Sequence, residues 1–131
     1  NYMLEKLNPK SIVAPFNDAY HHVVVIPPGA RIAYVSGQIG LNPDGTLPAT
    51  IEEQADRAWE NVIESVKEAG MTVSDIVKVT VYLLDDKDYP AFASARQKYL
   101  GDARPASTAI LVKQLVSPEW RVEIEVVAAA V

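Results

Sequence analysis

Along this chain the spacing of apolar residues changes from two to about three and a half and back again, and those changes predict its elements. Residues 20–26, Tyr-His-His-Val-Val-Val-Ile, form a short β-branched run that Pro27-Pro28-Gly29-Ala30 turns back. Residues 32–36, Ile-Ala-Tyr-Val-Ser, then alternate, and the two runs predict a hairpin. The second run passes directly into Gly37-Gln38-Ile39-Gly40. A Ser-Gly-Gln step at the end of a strand leaves backbone N–H groups uncovered by a bulky side chain, so a ligand or another chain can come close. The plainer alternative is a strand that simply ends in a turn.

A loop containing Asn42-Pro43-Asp44-Gly45 leads to a helical stripe of Ile51, Ala55, Ala58, Trp59, Val62, Val66 and Ala69. Thr50 and Glu53 have capping-box spacing at its start, and Gly70 ends it. Residues 76–84 predict a strand with apolar residues on both faces: Val77, Val79, Val81 and Leu83 on one, Ile76, Tyr82 and Leu84 on the other. Both faces are therefore expected to be covered. Asp88 predicts the cap of a second helix, with Pro90 in its first turn, Phe92, Ala95, Tyr99 and Leu100 on its stripe and Gly101 at its close.

Strands are predicted over residues 106–115 and 120–130, joined by a short turn through Ser117-Pro118. The expected order is β-β-α-β-α-β-β, an α+β protomer with two helices on one face of a five-stranded sheet. The other face then needs a partner, and self-association is the economical solution.

Composition narrows the function classes. At 131 residues, 49% of them apolar and 22% charged, the chain fits one domain spanning residues 1–131 with an ordinary core. Asn1-Tyr2 ahead of Met3 is expected to be a cloning remnant. No apolar run approaches the roughly 18 residues of a membrane span, and no secretory pattern opens the chain, so the expectation is a cytoplasmic protein without a membrane partner. The absence of cysteine excludes disulfides, thiolate metal sites and cysteine nucleophiles. A net charge of −5 and scattered lysines and arginines argue against a nucleic-acid partner. His21 and His22 are neighbours, so on a strand they point to opposite sides and do not chelate one metal together. Metal dependence is not expected, and no P-loop, dinucleotide fingerprint or nucleophile elbow is present. The Asp85-Asp86-Lys87-Asp88 run is expected to be a solvated turn and helix cap.

The last strand supplies the candidate chemistry. In Val122-Glu123-Ile124-Glu125-Val126 both carboxylates share one face, opposite the three apolar residues. Two strand glutamates commonly mark a solvated outer face. Set against a cleft, one of them can hold or deprotonate a water.

Taken in order, Tyr20, Ser36-Gly37-Gln38-Ile39, Glu60-Asn61-Val62, the segment from Gly70-Met71-Thr72 through Val81-Tyr82, Pro105-Ala106-Ser107 and Glu123-Ile124-Glu125 resemble the reactive intermediate deaminases, the Rid or YjgF-type proteins. The likeness runs from about residue 15 to residue 130. It implies a chorismate-mutase-like protomer assembled as a homotrimer, sheets inside and helices outside, with small-molecule clefts between subunits. It also implies cofactor-free hydrolysis of reactive enamines or imines to a 2-oxo acid and ammonia, although other members have been called endoribonucleases.

By that resemblance Glu123 positions water, Gly37 and Ala109 offer backbone donors to the substrate, and Tyr20 leans into the cleft; Trp120 is a candidate pocket wall. The chain departs from the family at Ser107, where active deaminases carry an arginine that grips the substrate carboxylate. Serine brings no positive charge. Arg104 stands nearby, but its odd separation from Ser107 points it to the other side of an extended strand. Two readings follow, a Rid-type hydrolase of altered specificity and a noncatalytic trimeric small-ligand-binding protein.

Overall fold

The computed structural model describes residues 4–131, so the expected remnant Asn1-Tyr2, with Met3, lies outside the described residues. The main sheet has four strands in the order β3, β6, β4, β5: β3 is Arg31–Ile39, β4 is Ile76–Leu83, β5 is Ala106–Leu111 and β6 is Val122–Ala130. β6 runs antiparallel to both neighbours, whereas β5 is parallel to β4. A parallel pair needs a crossover, and helix α2, Tyr89–Leu100, supplies it. Helix α1, Ile51–Glu68, lies against β3 and β6, and α2 packs on α1.

The predicted hairpin does not form. Val23–Val25 is a short strand, β2, that pairs with an N-terminal strand β1, Glu5–Leu7, in a separate two-stranded sheet. Three residues of β1 are too few to show an alternation. β3 finds its partner in β6, nearly a hundred residues away, which no local pattern could reveal. Pro27 and Pro28 contribute no N–H to any pairing with the strand that follows them. The sheet thus has four strands rather than five, and the expected strands over 106–115 and 120–130 shorten to β5 and β6, which are not neighbours.

The helical predictions hold more closely. Thr50 Oγ1 accepts the Glu53 backbone N–H at 3.1 Å and donates to the Glu53 carboxylate at 2.9 Å, starting α1 where its stripe begins. Ile51, Ala55, Ala58, Trp59, Val62 and Val66 are all buried, and Gly70 takes φ +76° just beyond the helix. Trp59 stacks on Phe92 of α2, ring centroids 6.0 Å apart. Asp88 is a correction. It precedes α2 but makes no side-chain cap; its carboxylate is buried and accepts from the Arg121 guanidinium at 2.8 Å. Only the first part of the acidic run is a solvated turn, closed by Asp85 accepting the Lys87 N–H.

β4 also corrects the expectation of two apolar faces. A bulge at Val77 leaves both Ile76 and Val77 buried, after which Val79, Val81 and Leu83 face the helices. The other face carries Lys78, Thr80 and Tyr82, all partly exposed. Among the described residues no helix is long and apolar enough to cross a membrane.

Candidate functional site

β3 does not stop at Ser36 as the sequence suggested; it continues to Ile39 through a bulge. Val35 pairs with Val126 and Gln38 with Ile124, so Ser36 and Gly37 together oppose the single residue Glu125. The kink brings the β3 backbone against the next outward-facing residue of β6. A Cβ on Gly37 would overlap the Glu123 carboxylate, coming within 2.7 Å of its Cδ, so glycine is what lets the carboxylate lie over this backbone. The bulge is pinned from behind. Asn61 on α1 donates to the Ile39 and Leu41 carbonyls, both at 3.0 Å, and accepts from Arg57 Nε at 3.0 Å. Gly40 is a second close approach, since a Cβ there would meet the backbone of Gln54 at 2.5 Å.

Strand pairing places Tyr82 beside Glu123 on the same open face. The Tyr82 hydroxyl donates a short hydrogen bond to Glu125. That bond first, then burial and the charges of Glu125 and Glu123, raises the phenol above its ordinary range. Tyr82, Glu123 and Glu125 form the floor of an open groove of about 380 Å³, walled by Val112, Gln114, Leu115 and Val116. A neighbouring groove of about 390 Å³ shares Glu125 and is lined further by Tyr34, Ser36, Lys78 and Thr80.

The remaining expected site residues lie elsewhere in the protomer. Ser107 and Ala109 sit on β5 in register with Val79 and Val81, hence on the side opposite Glu123. Lys78 donating to Thr108 at 2.7 Å fixes that alternation. Tyr20 accepts from the Phe16 N–H at 3.3 Å and packs edge-on against His22. The adjoining His21 N–H is bonded to Pro105 O, which places this segment at the start of β5. Trp120 is partly exposed at the end of the 112–121 loop and does not line the Glu123 groove. Arg104 donates to the carbonyls of Asp18 at 2.8 Å, Gly101 at 2.5 Å and Ala103 at 3.0 Å. Its guanidinium is thus committed to backbone carbonyls.

Gln54 is the residue that the sequence reading passed over. It is buried, donates to Pro48 O at 3.1 Å and Glu119 O at 3.4 Å, and accepts the Arg121 N–H at 3.0 Å. It ties the loop before α1 to the entry of β6. Its signal was present, since Gln54 falls three residues after Ile51 and four before Ala58, a polar residue in the apolar stripe. Among the described residues no group of three or more His, Asp or Glu side chains stands close enough to hold a metal ion.

Comparison with known proteins agrees with this fold. A family model described as Endoribonuclease L-PSP matches residues 11–130. A RutC family protein of Pyrococcus abyssi is 35% identical over 72% of this chain and 76% of its own. The 2-iminobutanoate/2-iminopropanoate deaminase of Capra hircus is 38% identical over 75% of this chain and 72% of its own. Among solved structures, a Rid-family protein of unknown function from Yersinia pestis superposes with a TM-score of 0.86 at 25% identity, covering 97% of this chain and 98% of that one. E. coli TdcF with bound serine gives 0.73 at 27% identity, covering 92% and 91%.

Proposed function

The chain belongs to the endoribonuclease L-PSP family, which includes the Rid, YjgF and RutC proteins, and from that premise we propose that it hydrolyses small enamines or imines with a specificity other than the standard 2-imino acid. The observation that carries this reading is the Glu123 carboxylate lying over the bulged Gly37 backbone in the floor of an open groove. A carboxylate held there can accept a proton from water as the water oxygen attacks the C=N carbon. The C–O bond forms, the nitrogen receives the proton, and the tetrahedral carbinolamine then collapses with loss of ammonia. Backbone N–H groups of Gly37 and Ala109 hold the substrate in this scheme.

Because the Ser107 side chain faces away from Glu123 within one subunit, the scheme needs β5 of one subunit to meet Glu123 of the next. Exposed apolar residues support such an association: Tyr34 is 81% exposed and Val116 88%, and Ile110 and Leu111 lie on the edge strand β5. The resemblance makes that assembly a homotrimer. Light scattering at micromolar concentration should return three subunits, and a monomer would remove the site.

RNA is not its main ligand in this reading, given the net charge of −5 and the carboxylates in the groove. Submicromolar, salt-sensitive RNA binding would contradict it. A noncatalytic ligand-binding trimer is the second reading, favoured by Ser107, an uncharged residue where the resemblance implies a carboxylate-gripping arginine in active relatives. The test is ammonia release from 2-iminopropanoate generated by a dehydratase. The parent should be poor, Ser107→Arg should gain activity, and adding Glu123→Ala should abolish the gain. A folded trimeric Ser107→Arg without any gain would favour the binding protein.

A further inference from the structure

We propose that the Glu123 groove takes a cationic imine without a carboxylate, the iminium ion of a simple amine. The inference rests on the hydrolase reading for its site and adds the charge class of the substrate. Two carboxylates, Glu123 and Glu125, line the groove, and among the described residues no cationic side chain does. Its other polar groups, the Tyr82 phenol and the Gln114 amide, are neutral. Its remaining wall is aliphatic, formed by Val112, Leu115 and Val116.

Three cations on adjoining segments have another occupation. Lys78 is bonded to Thr108 and lines the adjacent groove; Arg121 is paired with buried Asp88; Arg104 is held by carbonyls. Lys113, between Val112 and Gln114 in sequence, is exposed and outside the lining. If β5 of another subunit closes the groove, it brings Ser107 and Ala109, neither of them charged. An anionic substrate would therefore lie beside two like charges with no counterion, whereas a cation is attracted by both and its alkyl part meets the aliphatic wall. The Tyr82 phenol, raised first by its hydrogen bond to Glu125 and then by burial, is raised further by the charges of Glu125 and Glu123.

The chemistry favours this choice, because a protonated C=N is the more electrophilic form. One iminium ion and one water give one carbonyl compound and one ammonium ion. Water forms the C–O bond, and Glu123 accepts one of its protons and returns it to nitrogen. The C–N bond then breaks, its electron pair leaves with ammonia, and the remaining hydroxyl proton passes to that ammonia as the carbonyl forms. The supplying reaction is a two-electron oxidation of a primary amine.

Binding tests the charge class independently of turnover. Butylammonium and butyrate, matched in alkyl length, are titrated calorimetrically into the parent protein at low salt and again at high salt. Butylammonium should bind at least about tenfold more tightly, with the difference shrinking as salt rises. Butyrate bound equally well, or butylammonium not bound, overturns the proposal. The imine made from butylamine by an amine oxidase is then compared with 2-iminopropanoate, following hydrolysis by competition with semicarbazide. Faster hydrolysis of butylamine's imine, lost in Glu123→Gln, supports the proposal. Glu123-dependent preference for 2-iminopropanoate overturns the charge class and leaves the deaminase reading standing. Selective butylammonium binding without hydrolysis of either imine upholds the charge class and removes the hydrolase reading.

Discussion

The two faces of the main sheet are built from alternate residues of the same strands, and they are held by different physics. On the helix side Val79, Val81, Leu83, Ile124 and Val126 are buried beneath α1 and α2, together with Trp59 and Phe92. On the open side Lys78, Thr80, Tyr82, Glu123 and Glu125 stay partly exposed and are organised by hydrogen bonds, a bulge and one glycine. Packing makes the first face tolerant of rearranged contacts but intolerant of lost volume. On the second, displacing one carboxylate matters more than losing area. Stability and activity should therefore separate according to which face is altered.

Trp59→Ala is expected to have the largest effect, because it removes the largest fully buried side chain and its stack on Phe92. Chemical denaturation should show a loss of about 3–5 kcal/mol. Trp59→Phe sharpens the point: among the described residues the indole Nε1 has no hydrogen-bond partner, so this change gives up no hydrogen bond there and should cost well under half as much. An equal loss in both variants would mean that shape at the helix contact, rather than buried volume, dominates this face.

Glu123→Gln addresses the open face. The amide keeps the shape of the side chain but cannot accept a proton from water, so imine hydrolysis should fall by about 10²-fold or more while the denaturation midpoint stays nearly unchanged. A marked loss of stability would erase the division between the faces. Gly37→Ala should act more mildly on the same group. The new methyl meets the far end of a flexible side chain, so Glu123 can swing aside; activity should drop about tenfold with a stability change near or below 1 kcal/mol.

The same division explains what was legible in the sequence. The helix face writes itself locally: the stripe from Ile51 to Val66, the Thr50 cap and the Gly70 stop can all be read within a few turns of chain. The alternation of Glu123 and Glu125 with Val122, Ile124 and Val126 was equally plain. Partner choice was not. β3 pairs with β6 and β2 with β1, and those pairings depend on contacts across long sequence distances. Bulges at Val77 and at Ser36-Gly37 change the parity on which a face assignment rests, so Ile76 lies buried where alternation put it on the second face. Gly37 was singled out as a place of close approach, but that Glu123 is the group approaching it required the fold. Asp88 shows the limit from the other side, since its ion pair with Arg121 overrides a local preference for capping.

The smallest expected effect lies at the seam between the helices and serves as a control away from both faces. Tyr99 on α2 donates to Glu60 on α1 at 2.9 Å. Burial, followed by that hydrogen bond, pushes its phenol up to about 12. An unfolded tyrosine titrates near 10. Between those values the folded protein retains a proton that the unfolded chain has released, so the contribution of Tyr99 to stability is complete below about pH 10 and is lost as pH rises through about 12. Ultraviolet titration of phenolate absorbance in the parent and in Tyr99→Phe should show one late-ionising tyrosine missing from the variant. The variant's stability should also fall less steeply with pH across that interval. Neither Glu123-dependent hydrolysis nor charge selectivity should change, because the Tyr99–Glu60 bond joins the two helices and touches no residue of the groove. A change in either would show that the helix layer sets the open face's chemistry, contrary to the separation argued from the packing.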